Sequence, residues 1–108
     1  MAITTEGLEK IAELIAEFNA PFIVIGNAGG EAFRKQVGAV IPSGSVVRFR
    51  STLSLSEGNG DHTYLALFSD ATAGAGSGVL IGSVEQLFSK GQTQVLNIEC
   101  KITVQQGV

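Results

Sequence analysis

Between residues 5 and 18 the apolar positions Leu8, Ile11, Ala12, Leu14, Ile15 and Phe18 recur at steps of three and four. That spacing predicts an amphipathic helix over 5–18. Glu6, Glu9, Lys10, Glu13 and Glu17 take the other side, with Glu6 and Lys10 spaced for an i,i+4 ion pair. Thr4 or Thr5 supplies the N-cap, Glu6 favours the positive end of the helix dipole, and Asn19 and Pro21 stop the helix. One apolar stripe of this kind packs by default on the domain's own sheet.

From residue 22 the period changes. The run "FIVI", 22–25, is apolar throughout and reads as a strand covered on both faces. Residues 26–45 read as an irregular connection, with one turn of helix at Glu31–Gln36 and a short strand from Val37 to Ile41 that Pro42 breaks. Residues 46–55 alternate: Val47, Phe49, Ser51, Leu53 and Leu55 face one way, and Val46, Arg48, Arg50, Thr52 and Ser54 the other. "EGNG" then carries turn chemistry and predicts a hairpin corner. In the strand at 63–68, Leu65 and Leu67 oppose Tyr64, Ala66 and Phe68, so both faces are apolar and the strand belongs in the middle of a sheet.

A flexible, glycine-rich loop follows over 69–78, then a strand at 79–88 in which Gly82 marks a bulge. The last strand, 93–104, points Leu96, Ile98, Cys100, Ile102 and Val104 inward and Asn97, Glu99, Lys101 and Thr103 outward. No βαβ alternation and no internal repeat is present. The expectation is a single mainly β (α+β) domain over 1–108. Its N-terminal helix packs on an antiparallel β-sandwich or open barrel of five to six strands.

Composition narrows the function. The chain has 108 residues, 44% of them hydrophobic and 16% charged, which suits a folded core rather than disorder. Net charge is −3, and the seven Lys and Arg residues are scattered, so no basic stripe marks a nucleic-acid partner. No apolar run reaches the length of a membrane span, and the acidic residues of the first helix do not fit a signal peptide. The chain therefore reads as made in the cytoplasm, with neither membrane nor nucleic acid as partner.

Three places invite chemistry. "VIGNAGGEAF" resembles the strand-to-glycine-turn context of a phosphate cradle. It matches neither G-x-x-x-x-G-K-[ST] nor G-x-G-x-x-G, and a turn needing positive φ at Gly29 or Gly30 explains it. Asp61 and His62 are adjacent, so on a strand they point apart, and no second histidine or placed serine completes a metal or hydrolytic set; His62 reads as a solvated turn residue. Cys100, the only cysteine, sits among apolar inward positions and reads as an inert small hydrophobe. Arg48 and Arg50 share a polar face and suit cross-strand pairing with Glu99. Catalytic, cofactor-binding and metal-binding residues are therefore all predicted as none, with no cofactor.

Four segments together resemble the N-terminal domains of phage and prophage tail fibre (tail-collar) proteins and related small tail proteins. "ITTEGLEKIAELIAEF" looks like the opening T-x-x-G-L-x-x-I helix, and "FIVIGNAGGEAFRKQV" is similar to a strand, loop and R-K-x-V stretch. "VVRFRSTLSLSEGNGDHTYLALFSDATAGAGSGVLIG" looks like a strand, a G-E-x-N-G hairpin, a G-L-F strand and a glycine-rich loop. "LFSKGQTQVLNIECKITV" is similar to the closing pair of strands. The chain departs from the pattern in that the acidic residue common before the G-L-F unit is replaced: "YLALF" has Tyr64, Leu65 and Ala66 instead. The resemblance implies a non-enzymatic structural protein of a tail, located in the virion tail once assembled, whose partners are other tail proteins and copies of itself. A small carbohydrate-binding β-sandwich is the alternative, opposed by the single tyrosine and the absence of tryptophan for stacking on sugars.

Overall fold

The computed structural model describes residues 1–106. Among these residues one helix, α1 (Thr5–Ile15), precedes seven strands. These are β1 (Phe22–Asn27), β2 (Gly30–Gln36), β3 (Ala39–Ser43), β4 (Val46–Leu53), β5 (Gly60–Ser69), β6 (Val79–Lys90) and β7 (Leu96–Thr103). They form two antiparallel sheets, one in the order β2-β1-β5-β6 and the other β3-β4-β7. The predicted class, a mainly β sandwich with one N-terminal helix, is the one observed. No helix among the described residues is long and apolar enough to cross a membrane.

The alternation of β4 does what its period requires. Val47, Phe49, Ser51 and Leu53 are buried, and with Ile23, Ile25, Leu65, Leu67 and Ile98 they make the core between the sheets. Leu55, expected to continue that row, is exposed because the strand ends at Leu53. β5 lies between β1 and β6, as its two apolar faces predict.

Strand number is where expectation and structure differ most. The helical turn expected at Glu31–Gln36 is instead β2, hairpin-paired with β1. The local sequence is compatible with helix, but the buried β1 needs a hydrogen-bonded neighbour on that side, and pairing overrides propensity. β3 runs from Ala39 to Ser43 with Pro42 inside it, opposite Val47. It is the edge of its sheet, where a residue without an N–H is tolerated.

α1 stops at Ile15 rather than 18. Thr4 is the N-cap, its Oγ1 accepting from the Gly7 N–H at 3.0 Å. The last turn tightens, Phe18 N–H donating to the Ile15 carbonyl, and Ala20 reverses the chain at φ 44°. Phe18 so leaves the helical path and stacks on Phe49, ring centres 6.2 Å apart. Ala12 is the residue of α1 that is fully buried; Ile11 and Leu14 remain exposed. Lys10 pairs with Glu13 at 3.6 Å instead of with Glu6.

The loop after β5, expected to be flexible, is clamped onto the outer face of the four-stranded sheet. Arg34, on β2, is the clamp. Its guanidinium donates to both carboxylate oxygens of Glu31, at 2.6 and 2.7 Å. Its remaining nitrogen donates to the Thr72 and Ser77 carbonyls and to Ser77 Oγ, at 2.9–3.1 Å. The same group lies 5.3 Å over the Phe68 ring. Val24 and Ala66, cross-strand neighbours on that face, are buried despite facing away from the core.

Candidate assembly surface

The stretch "SEGNGDH" links β4 in one sheet to β5 in the other, so it is an arch over the end of the sandwich and not a hairpin. Gly58 sits at its centre with φ +66°, and a Cβ there would lie 2.9 Å from both Ile25 Cδ1 and Leu53 Cδ1. The arch backbone thus rests directly on the core. Three basic side chains hold it. His62 Nε2–H donates to the Gly58 carbonyl at 2.7 Å. Lys90 Nζ donates to Asn59 Oδ1 at 2.8 Å and to the Leu55 carbonyl at 3.3 Å. Lys35 Nζ donates to both oxygens of Glu57, which also accepts from the Ser54 N–H at 2.9 Å.

His62 is therefore not a solvated turn residue. It is 2% exposed, packs against Phe88 with ring centres 5.0 Å apart, and its Nδ1 has no hydrogen-bond partner among the described residues. Asp61 points the other way, as strand alternation predicts, and accepts from Ser89 Oγ at 2.6 Å. The two do not form a dyad.

The Lys35 ammonium holds the Glu57 carboxyl down from 4.5 to about 2, with the Ser54 N–H adding to the effect. A depressed carboxylate pKa contributes stability that is present above the unfolded value and lost as pH falls through the folded one. Stability of the wild-type chain should fall between about pH 4.5 and 2, and Lys35→Ala should flatten that part of the profile. Urea unfolding at several acidic pH values reads the difference; parallel profiles for the two proteins would refute the assignment.

The Gly26–Gly30 stretch does not build a phosphate cradle. β2 follows the turn where a helix would be needed, and the Gly29 N–H donates to Asn27 Oδ1 at 2.9 Å, closing the turn on itself. The positive φ falls at Gly30, not Gly29. Gly26 is required for a different reason: Tyr64 crosses it, and a Cβ there would come 2.5 Å from the Tyr64 hydroxyl and closer still to the Gly30 carbonyl. Arg48 and Arg50 both donate to Glu99, at 2.9 and 2.6 Å, as the shared face predicts. Cys100 faces inward, and burial with the neighbouring Glu99 carboxylate pushes its thiol up to about 11, away from reactivity.

The feature that stands out lies on the open side of the sandwich. One sheet has four strands and the other three, and β7 packs across the sandwich more closely against β5 than against β6. β6 is thus an edge strand with little beneath it. Val79, Leu80, Ile81, Val84 and Leu87 are all exposed on it, Leu87 at 83%. Between β6 and β7 runs a groove of about 510 Å³ whose walls include Ile15, Phe18, Leu67, Val84, Cys100 and Ile102. β6 is also irregular: Ile81 has no partner on β5, because pairing steps from Leu67–Gly82 to Phe68–Leu80. The expected bulge is real and lies next to Gly82. A long apolar edge with free N–H and C=O groups is a template for pairing with another chain. Periodicity signalled a strand here, but nothing in it distinguished a covered face from an open one. Searched against family models and against curated proteins, the chain matches none.

Proposed function

We propose that this chain is a non-enzymatic structural component of a phage or prophage-derived tail that works by protein–protein assembly. The observation that carries the reading is β6, a twelve-residue edge strand with Ile81 and Val84 exposed on its groove side and Leu80 and Leu87 exposed on its other face. Large apolar side chains exposed on an edge strand mark an interaction site, and the edge supplies the hydrogen bonds that give such a contact direction. The ordered resemblance of the sequence to tail-collar domains supplies the setting. The arch and the clamped loop give that edge a rigid support.

Mass spectrometry of tail particles purified from the strain that encodes the chain tests this. Peptides at stoichiometric abundance are the expected result. Particles that lack the chain while the lysate is rich in it would overturn the proposal. A paired substitution sharpens the test. Leu80→Lys with Leu87→Glu changes only exposed positions, so stability should move by less than about 1 kcal/mol. The variant should fold and yet be absent from particles; normal incorporation would show that the outer face of β6 is not part of the contact.

A further inference from the structure

We infer that the open side of the sandwich is the seat of a second copy of this chain, β6 of each copy adding to β7 of the other. The inference rests on the assembly reading above and names the partner. It starts from the strand count. The four-stranded sheet overhangs the three-stranded one by a strand at β6, and the three-stranded sheet is short by a strand beside β7. An overhang above a recess is complementary to itself when rotated by half a turn about an axis parallel to the strands, like a half-lap joint. In that arrangement β6 of one copy fills the recess next to β7 of the other, and the reverse contact forms at the same time, as an isologous interface requires.

Strand direction agrees. Ile81–Val84 of β6 lie along the groove beside Cys100 and Ile102, and Phe88 lies beside Leu96 and Ile98, so β6 and β7 run in opposite senses. Rotation about an axis along the strands keeps those senses, and the new ladder is antiparallel, like the others in the fold. Both edges are unpaired among the described residues.

Charge chooses the occupant. Lys101 faces outward directly opposite Arg48, a like charge, and Glu99 is already taken by Arg48 and Arg50. Glu85 faces outward beside Tyr64 on β6. Neither Glu85 nor Lys101 has an ion-pair partner among the described residues. With Val84 set against Ile102 of the other copy, on the inner face, Glu85 falls against Lys101 of the other copy, on the outer face. Each copy thus supplies the acid that the other's lysine lacks, twice per dimer.

Sedimentation equilibrium of the purified full chain, with charge exchange, tests the joint. The wild type is expected to be a dimer. Glu85→Lys or Lys101→Glu alone should weaken the dimer by about tenfold or more, because a like charge then lies across the ladder. The double variant should recover most of the affinity. A second measurement does not depend on energetics. In a Cys100→Ser background, Glu85→Cys chains mixed with Lys101→Cys chains should form a mixed disulfide on oxidation, well above either chain alone. A wild type that stays monomeric at high concentration, single exchanges without effect, or no mixed disulfide would each overturn the inference. A monomer still found stoichiometrically in tail particles would leave the assembly reading standing and remove only the self-pairing.

Discussion

Arg34→Ala is expected to cost about 1.5–3 kcal/mol of folding stability, because it strips the donor from a part-buried, doubly hydrogen-bonded ion pair. The Arg34 side chain is 3% exposed and that of Glu31 17%, so the carboxylate left behind is poorly reached by water. The loss extends to the Thr72 and Ser77 carbonyls, which lose their shared donor. Against the 5–15 kcal/mol typical of a domain, that is a large share. Two readouts separate the clamp from a general packing defect. Denaturant unfolding gives the free energy, and amide hydrogen exchange should show amides over 70–78 losing protection before the strands do. Arg34→Lys keeps the charge but not the planar fork, so it should recover only part of the loss. A change below about 1 kcal/mol with the loop still protected would remove Arg34 from this role.

The second large effect is expected at Phe49. Its side chain is fully buried in the core and stacks on Phe18 at an interplanar angle of 16°. Phe49→Ala should cost about 3–5 kcal/mol, the usual range for deleting a buried aromatic ring. At roughly 4–8 °C per kcal/mol in a domain near this size, the melting temperature should fall by more than about 10 °C. Phe18, only half-buried, should cost less on its own. A double-mutant cycle should give a coupling of about 0.5–1.5 kcal/mol between the rings. Additivity of the two losses would mean that the stack seen in the structure contributes nothing beyond burial.

The sequence was most readable where one face of an element is buried and the other wet. β4 shows this: Val47, Phe49, Ser51 and Leu53 alternate with Arg48, Arg50 and Thr52, and the structure buries the first set. The Arg48–Arg50–Glu99 cluster was legible for the same reason, since shared parity places charges on one surface. β2 was not legible, because its strand character comes from its neighbour β1 and not from its own residues. His62 was misread because the arch that buries it folds back from residues before it, which no local pattern records. Arg34 was missed as a clamp because its partners at Thr72 and Ser77 lie far along the chain and are mostly backbone carbonyls, which carry no side-chain signal. The open groove was hidden for a related reason. Val84, Cys100 and Ile102 have the periodicity of core residues whether or not a strand lies over them.

The pairing of β4 with β7 also bears on how the chain is made. Leu53 pairs with Leu96 and Val46 with Thr103, so β4 waits for a partner that emerges from the ribosome only after β5 and β6. At translation speeds of about 5–20 residues per second, the interval lasts on the order of seconds. Through that time the nascent chain can build the β1–β2 and β5–β6 hairpins locally, while Phe49 and its neighbours stay half covered on the β7 side. Of the seven strands, β7 is therefore the last to be synthesised and the one that closes the interior. A stalled or prematurely terminated translation product would carry an open core to whatever chaperone or protease meets it first.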